Sequence, residues 1–496
     1  MVCTKIIHFT HSKPTCSFAL QFSYISQPLM MKRYSYPVLL LIITIGSGLQ
    51  AGAQQVLTLQ DAIQTALTNY GTIKAKSNYV NAAKASVKET NAEALPDLNI
   101  SAQQDYGTIN GQNGPLYGYR GLSVASSGPV LPNQNWNAAF GALYLTNINW
   151  DFYSFGKIRE KQKVSQSILN SNENDLAQEK FQQQVRVSAA YLNLLAAQRI
   201  VKSQQSNLDR ALAVRTVVVT RVKTGLNAGV DSSLANAQVS NARIALTSAQ
   251  DYEQEQANQL SQLLGVAPSN AYVLDTQYVA RIPAALYDTS KQTIQNHPLL
   301  KYYQSRIAIS DEQAKYLHTF NYPTFSLFGI MQDRGSGFHN DYSAANPGSY
   351  SHNYFDGVGF QRSNYLIGVG VTWNLTSPLR VREQVNAQRF NSKGLQDEYG
   401  LVEQRLQAQL LLSDAKIKNA VTNYVEAPIQ LKAATEGYQQ KTVLYKNGLS
   451  NIVDLTQALF TLNRAETDRD VAYNNVWQAL LLKAAASGDI TLFINQ

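Results

Sequence analysis

The sequence predicts an α+β membrane protein in which very long coiled-coil helices join transmembrane β-strands, the whole arranged as a tandem repeat. Three observations predict it. Trp150-Asp151-Phe152-Tyr153-Ser154 recurs as Trp373-Asn374-Leu375-Thr376-Ser377, and Lys-Thr-Gly-Leu ending at Leu226 recurs as Lys-Asn-Gly-Leu ending at Leu449, both at an offset of 223 residues. Two segments alternate apolar with small or polar residues at the period of a strand. Residues 157–223 contain neither Pro nor Gly, enough for about 100 Å of uninterrupted helix at about 1.5 Å per residue.

Residues 31–53 have the pattern of a secretory signal peptide. Lys32 and Arg33 precede an apolar run at 38–45, and Ala51-Gly52-Ala53 supplies the small-residue cleavage site. Residues 1–30 fit no part of such a signal and read as an extension upstream of a start at Met30 or Met31. Cys3 and Cys16, the two cysteines, fall in that extension. The chain from Gln54 onward therefore has no thiol for a disulfide or for lipid attachment.

Within the first half, residues 58–94 form a helix that Thr58 caps, with Asp61 three residues on, and that Pro96 ends. Leu98, Ile100 and Ala102 then alternate with polar neighbours as a strand. Residues 107–135, rich in Gly, Ser, Asn and Pro, read as a long loop. In the next strand Phe140, Ala142, Tyr144, Thr146, Ile148 and Trp150 share one face. Its counterpart carries Tyr365, Ile367, Val369, Val371 and Trp373 on one face and Leu366, Gly368, Gly370 and Thr372 on the other. Apolar side chains toward lipid and small or polar ones toward a lumen are what a transmembrane barrel strand requires. Trp150 and Trp373 end the strands, where an interfacial girdle belongs.

Each strand leads into a long helix, 157–223 and about 379–446. The second contains Gly394, Gly400, Pro428 and Gly437, which predict a bend or local irregularity. Gly225 and Gly448 terminate these helices at left-handed cap positions. Returning helices start near Asp231 and Asn451. In the first, Ala235, Ala242 and Ala249 recur at heptad spacing, a small-residue seam that permits close helix approach; the polar positions beside it suit a wall with water on one side, whereas a solid coiled-coil rod would want Leu and Ile there. Upstream, Asn69, Gly71 and Ile73 match Asn296, Pro298 and Leu300 at an offset of 227. The resulting organisation is 1–53 extension plus signal peptide, 54–265 first repeat, 266–288 linker, 289–483 second repeat and 484–496 C-terminal tail.

Composition narrows the function. Hydrophobic residues make up 44% of the 496, which excludes disorder, and the two cysteines exclude a disulfide scaffold. No apolar run is long enough for a membrane-spanning helix. The net charge of +8 is misleading: four of the 42 basic residues and no acidic ones lie in the first 53, leaving 38 against 34 beyond them. A nucleic-acid partner is not expected. His297, His318, His339 and His352 show no metal-ligand spacing, and none of the Gly-x-Gly pairs follows a strand and opens a helix. No catalytic residue, metal or cofactor is predicted, and the chain is not read as an enzyme.

This ordered set (helix, Leu-Pro strand, long loop, strand, very long helix, Gly turn, returning helix, duplicated in register) resembles the TolC-type outer-membrane efflux protein family over about residues 56–488. The resemblance implies a homotrimer whose protomers each give four strands to one 12-stranded barrel above a helical periplasmic tunnel. It implies an equatorial belt formed by 266–288 and 484–496. It implies passive conduction from an inner-membrane transporter and a periplasmic adaptor, for efflux or type I secretion, with outer-membrane lipid around the barrel. Adaptor docking falls to Gly225, Leu226, Gly448 and Leu449. The gate falls to a hydrogen bond from Tyr445 to Asp231, and an acidic ring that narrows the mouth falls to Asp454. The position of a second latch residue, an Arg in the family, is Ser450 here, and Gln457 stands where some members have a second acidic ring. The competing reading is an exported structural or adhesive coiled coil without a pore.

Overall fold

The computed structural model describes residues 56–111, 128–269, 272–283 and 293–496. The expected signal peptide and upstream extension lie outside these residues. In chain order the elements are α1 (Leu59–Asn69), α2 (Gly71–Ala92), β1 (Asp97–Thr108), β2 (Ala138–Tyr153), α3 (Lys157–Lys223), α4 (Gly229–Leu264), α5 (Gln277–Ala280), α6 (Pro298–His318), β3 (Thr324–Ser336), α7 (Tyr354–Val358), β4 (Arg362–Thr372), α8 (Ser377–Lys446), α9 (Ile452–Ser487) and α10 (Thr491–Ile494). The described residues are mostly helical, with one four-stranded antiparallel sheet among them in the order β1-β2-β3-β4.

Two helices dominate: α3 has 67 residues and α8 has 70. Near the sheet, α2 packs on α3, α3 on α6 and α6 on α8; toward the other end, α4 packs on α3, α3 on α9 and α9 on α8. The helical layer therefore has two borders, α2 and α4 on one side and α8 on the other. The α8 border exposes Leu379, Phe390, Leu411, Val425 and Ile429.

Two elements differ from expectation. The helix predicted over 58–94 is broken at Tyr70, whose ψ of 124° is extended. Gly265, at φ +68°, lies so close that a Cβ there would stand 2.9 Å from the Asn69 carbonyl carbon. The break lets the chain turn against the end of α4. Conversely, α8 is continuous through Pro428 and its three glycines. The proline removes one helical hydrogen bond, but Ala427 is buried and Gln430 donates to Asp468 at 3.2 Å, so tertiary contacts hold both flanks.

The largest core gathers α1, the middle of α3, the end of α4, the described linker residues 272–283 and the C-terminal α9–α10 segment. Leu59, Tyr191, Leu260, Trp477 and Phe493 are all buried there. The Tyr191 hydroxyl donates to the Leu57 carbonyl at 2.8 Å and accepts from the Asp275 amide at 3.0 Å; burial pushes its pKa up. Trp477 Nε1 donates to the Arg281 carbonyl at 3.2 Å, and Arg281 reaches the Gln496 carbonyl at 2.9 Å. The linker and the tail thus share one belt of packing around α3 and α9.

His297 closes that belt. Its Nδ1 accepts from the Leu299 amide at 3.1 Å, leaving Nε2–H for the Ala485 carbonyl, also at 3.1 Å. Burial holds the imidazole below its ordinary value of 6.5, with the Ala485 bond opposing the shift. The unfolded chain therefore binds a proton that the folded one resists. Stability is complete above about pH 6.5 and is lost as pH falls from there toward the depressed folded value. Thermal unfolding across that window is expected to show an acid-side loss that His297→Gln reduces; equal losses in both proteins would remove His297 as its source.

Sheet register places Leu98, Ile148, Gly329 and Ile367 in one row and Trp150, Leu327 and Val369 in the next. One face thus carries Ile100, Ile148, Trp150, Tyr365, Ile367, Val369 and Val371, with Ile100 79%, Tyr365 83% and Ile367 73% exposed. Trp150 Nε1 donates to the Ala94 carbonyl at 3.0 Å and Trp373 Nε1 to the Asn321 carbonyl at 3.1 Å, pinning the tryptophans at the helix-proximal ends of the strands. Tyr144 shares this face but is not open as expected. Its hydroxyl donates to the Val358 carbonyl at 3.1 Å, and its ring meets Phe360 edge-on at 4.9 Å, because the β3–β4 connection folds over it.

Candidate functional site

The two helical hairpin tips carry most of the predicted site residues. Gly225 has φ +75° and Gly448 φ +76°, the left-handed geometry that a helix C-cap glycine supplies. The Leu226 amide donates to the Arg221 carbonyl and the Leu449 amide to the Leu444 carbonyl, both at 2.9 Å, closing the last turns of α3 and α8. The caps turn Leu226 and Leu449 outward, 68% and 75% exposed. Behind them Val214, Val218, Ala235, Tyr445, Ile452 and Leu455 form a small core that joins the two hairpins.

Tyr445 is almost completely buried in this core. Burial raises its pKa, the Asp231 carboxylate adds to the rise, and Arg221 opposes it. The expected direct bond from Tyr445 to Asp231 is replaced by a bridge. The Asn227 side-chain Nδ2 donates to Asp231 Oδ2 at 2.7 Å and to the Tyr445 hydroxyl at 3.3 Å. Asn227 Oδ1 accepts from Arg221 Nε at 2.7 Å, and Arg221 Nη1 donates to the Lys446 carbonyl at 2.8 Å. The guanidinium also lies 5.6 Å from the centre of the Tyr445 ring. Arg221 thus caps the negative end of α8 from the neighbouring hairpin. Ser450 leaves no cation on the second hairpin at that position, and Arg221 brings one from the first.

Asp454 differs from the isolated carboxylate that an acidic ring calls for. Its Oδ2 accepts from Lys441 Nζ at 2.9 Å and from the Ser450 hydroxyl at 3.3 Å. The Lys441 bond and charge hold its pKa below the usual carboxylate value, opposite to the rise expected of crowded carboxylates. Both side chains line a groove of about 660 Å³ between α8 and α9, beside Gly437, Tyr438 and Gln457.

Arg221, Asn227 and Lys441 were therefore missing from the sequence reading. A signal for them exists. At the offset of 223 they align with Leu444, Ser450 and Val218, so they mark where the two tips differ in chemistry.

The fold is one that this chain shares with several solved outer-membrane proteins. The chain aligns with the outer-membrane channel OprN over 87% of its length and 89% of OprN's, at 16% identity and a TM-score of 0.67. VceC of Vibrio cholerae gives the same identity and TM-score over 87% and 96% of the two chains. CusC gives 13% identity and a TM-score of 0.69 over 87% and 92%. Residues 62–266 match the model of the family described as outer membrane efflux protein. These findings bear out the resemblance to TolC-type channels drawn from the sequence. No curated protein sequence matches the chain.

Proposed function

We propose that this chain is one protomer of a homotrimeric outer-membrane efflux channel. The observation that carries the proposal is the open sheet. Among the described residues β1 and β4 have no partner strand along their outer edges, and the sheet's exposed face is largely apolar. Unpaired strand edges are not tolerated in a bilayer, so the sheet closes only through other copies. Three copies give twelve strands, as the resemblance implies, and bring the α8 border of one protomer against the α2/α4 border of the next. That contact covers the apolar residues of α8. The duplicated organisation is supported by paired placements at the offsets already noted: Gly265 packs against Tyr70 as Gly488 packs against His297, and Trp150 bonds Ala94 as Trp373 bonds Asn321.

In this reading the barrel sits in the outer membrane of a Gram-negative-type bacterium and the helices line a periplasmic tunnel. Transport is passive, driven by an inner-membrane transporter through a periplasmic adaptor, in efflux or in type I secretion. The exposed turns at Gly225, Leu226, Gly448 and Leu449 receive the adaptor. Asp231 and Tyr445, with Arg221 and Asn227, hold the tips closed, and Asp454 with Lys441 sets the charge of the mouth. Reconstitution into planar bilayers tests the proposal: a heat-dissociable trimer with discrete conductance is expected. A monomer that keeps its sheet and conducts, or a trimer that never conducts, overturns it.

Strand facing gives a sharper check. Val369→Arg places a charge on the apolar face near the middle of the band and is expected to cost roughly 2–4 kcal/mol, preventing assembly. Thr372→Arg, on the opposite face, is expected to assemble and alter conductance. Equal assembly defects, read from trimer yield, would reverse the facing.

A further inference from the structure

The β3–β4 connection, residues 337–361, does not project freely from the sheet. The Gly337 amide donates to the Phe140 carbonyl at 2.7 Å, and the Tyr354 hydroxyl donates to Gln104 Oε1 at 2.8 Å. The Tyr106 hydroxyl lies 3.3 Å from His352 Nδ1, and the Tyr144 hydroxyl bonds the Val358 carbonyl. Gly357 sits so close that a Cβ there would stand 2.3 Å from the Phe140 carbonyl oxygen. Gln104, Tyr106, Phe140 and Tyr144 all belong to the face that carries Ile148 and Ile367. The connection is therefore a strap pinned to the outer surface of the sheet, not to its lumenal side.

On this strap Tyr354 and Gly357 face the sheet, while Phe355 is 77% exposed; Phe360, edge-on to Tyr144, is 73% exposed. The height of Phe360 follows from strand geometry, and Phe355 stands above it, since Tyr354 bonds Gln104 one row higher. Ser363 is ten residues before Trp373, and ten residues at about 3.3 Å each, tilted by about 40°, rise about 25 Å, the height of a barrel's apolar band. The row of Tyr144, Asp333 and Ser363, where the Ser363 hydroxyl bonds the Asp333 carboxylate, thus falls at the upper edge of that band. Phe360 packs on this row.

We propose that the strap contacts the outer leaflet of the bilayer, with Phe355 and Phe360 seated at the boundary between headgroups and acyl chains. This rests on the membrane-barrel reading. The face runs from Ile367 through Tyr365 and Met331 to the polar row of Asp333 and Ser363, where the strap begins, and rings at such a boundary are a general anchoring device. Anchoring there holds the connection against the barrel wall and away from the channel mouth.

Single-cysteine variants test it, in a chain carrying Cys3→Ser and Cys16→Ser. Phe355→Cys, Phe360→Cys, Ile367→Cys and Ala345→Cys are labelled with a polarity-sensitive fluorophore and reconstituted into phosphatidylethanolamine–phosphatidylglycerol vesicles with brominated acyl chains. Probes at 355 and 360 are expected to shift to the blue and to lose most fluorescence when bromine lies near the headgroup end. The 367 probe is expected to respond to deeper bromine, and the exposed 345 probe to neither. Quenching at 367 with none at 355 and 360 overturns the strap proposal alone, because those rings then face water or a neighbouring copy. Absence of quenching at 367 overturns the membrane reading itself and the strap with it.

Discussion

Arg221→Ala is expected to open the channel more than any other single substitution at the hairpin tips. Arg221 makes two charge-assisted hydrogen bonds, at 2.7 Å to Asn227 and 2.8 Å to the Lys446 carbonyl, and the second joins the two hairpins directly. Such bonds contribute about 1.5–3 kcal/mol before their exposure is discounted. Even about 1.4 kcal/mol shifts a closed-to-open ratio tenfold. Tyr445→Phe removes only the longer 3.3 Å bond from Asn227 and keeps the buried ring, so its effect is expected to be smaller. Arg221→Lys keeps the charge but lacks the planar fork that serves both acceptors, and an intermediate effect is expected. Single-channel recordings check the order: open probability rises from wild type through Tyr445→Phe and Arg221→Lys to Arg221→Ala, with trimer yield unchanged. Wild-type gating in Arg221→Ala would place the latch elsewhere.

Why Tyr445 and the turn glycines were legible in the sequence, and Arg221 was not, has a physical answer. Caps and strand faces are local. Gly225 and Gly448 announce themselves because a left-handed residue must end each helix, and the faces of β2 and β4 follow from alternation. Features that depend on distant partners leave no local trace. The break at Tyr70 answers to Gly265, far along the chain; the covering of Tyr144 answers to Val358 and Phe360; and the unbroken course of α8 through Pro428 relies on α9. The proposed latch is of this second kind, since Arg221 and Lys446 are 225 residues apart. The duplication still offered a route to it. Positions that agree between the halves maintain the turn, whereas Arg221 opposite Leu444 and Asn227 opposite Ser450 break the symmetry and supply the polar contacts between hairpins.

In the proposed trimer the same asymmetry sets the charge of the tunnel mouth. Asp231 and Asp454 align, but only Asp454 is paired with a lysine, because Lys441 stands where the first half has Val218. In a trimer the mouth then holds each Asp454 carboxylate beside its own ammonium group, a ring close to neutral. Wild-type channels are therefore expected to select weakly between cations and anions. Lys441→Gln uncovers the carboxylates. Three like charges around one axis attract cations and raise one another's pKa, so selectivity is expected to move toward cations and to fade as acid protonates the ring. Asp454→Asn leaves the lysines unpaired and is expected to move selectivity toward anions. Reversal potentials under a salt gradient read both changes, and low salt enlarges them because the groups are half-exposed and screened. Opposite displacements of the reversal potential are the signature of a compensated ring. Displacements of the same sign, or none, would mean that Lys441 and Asp454 face away from the conducting path.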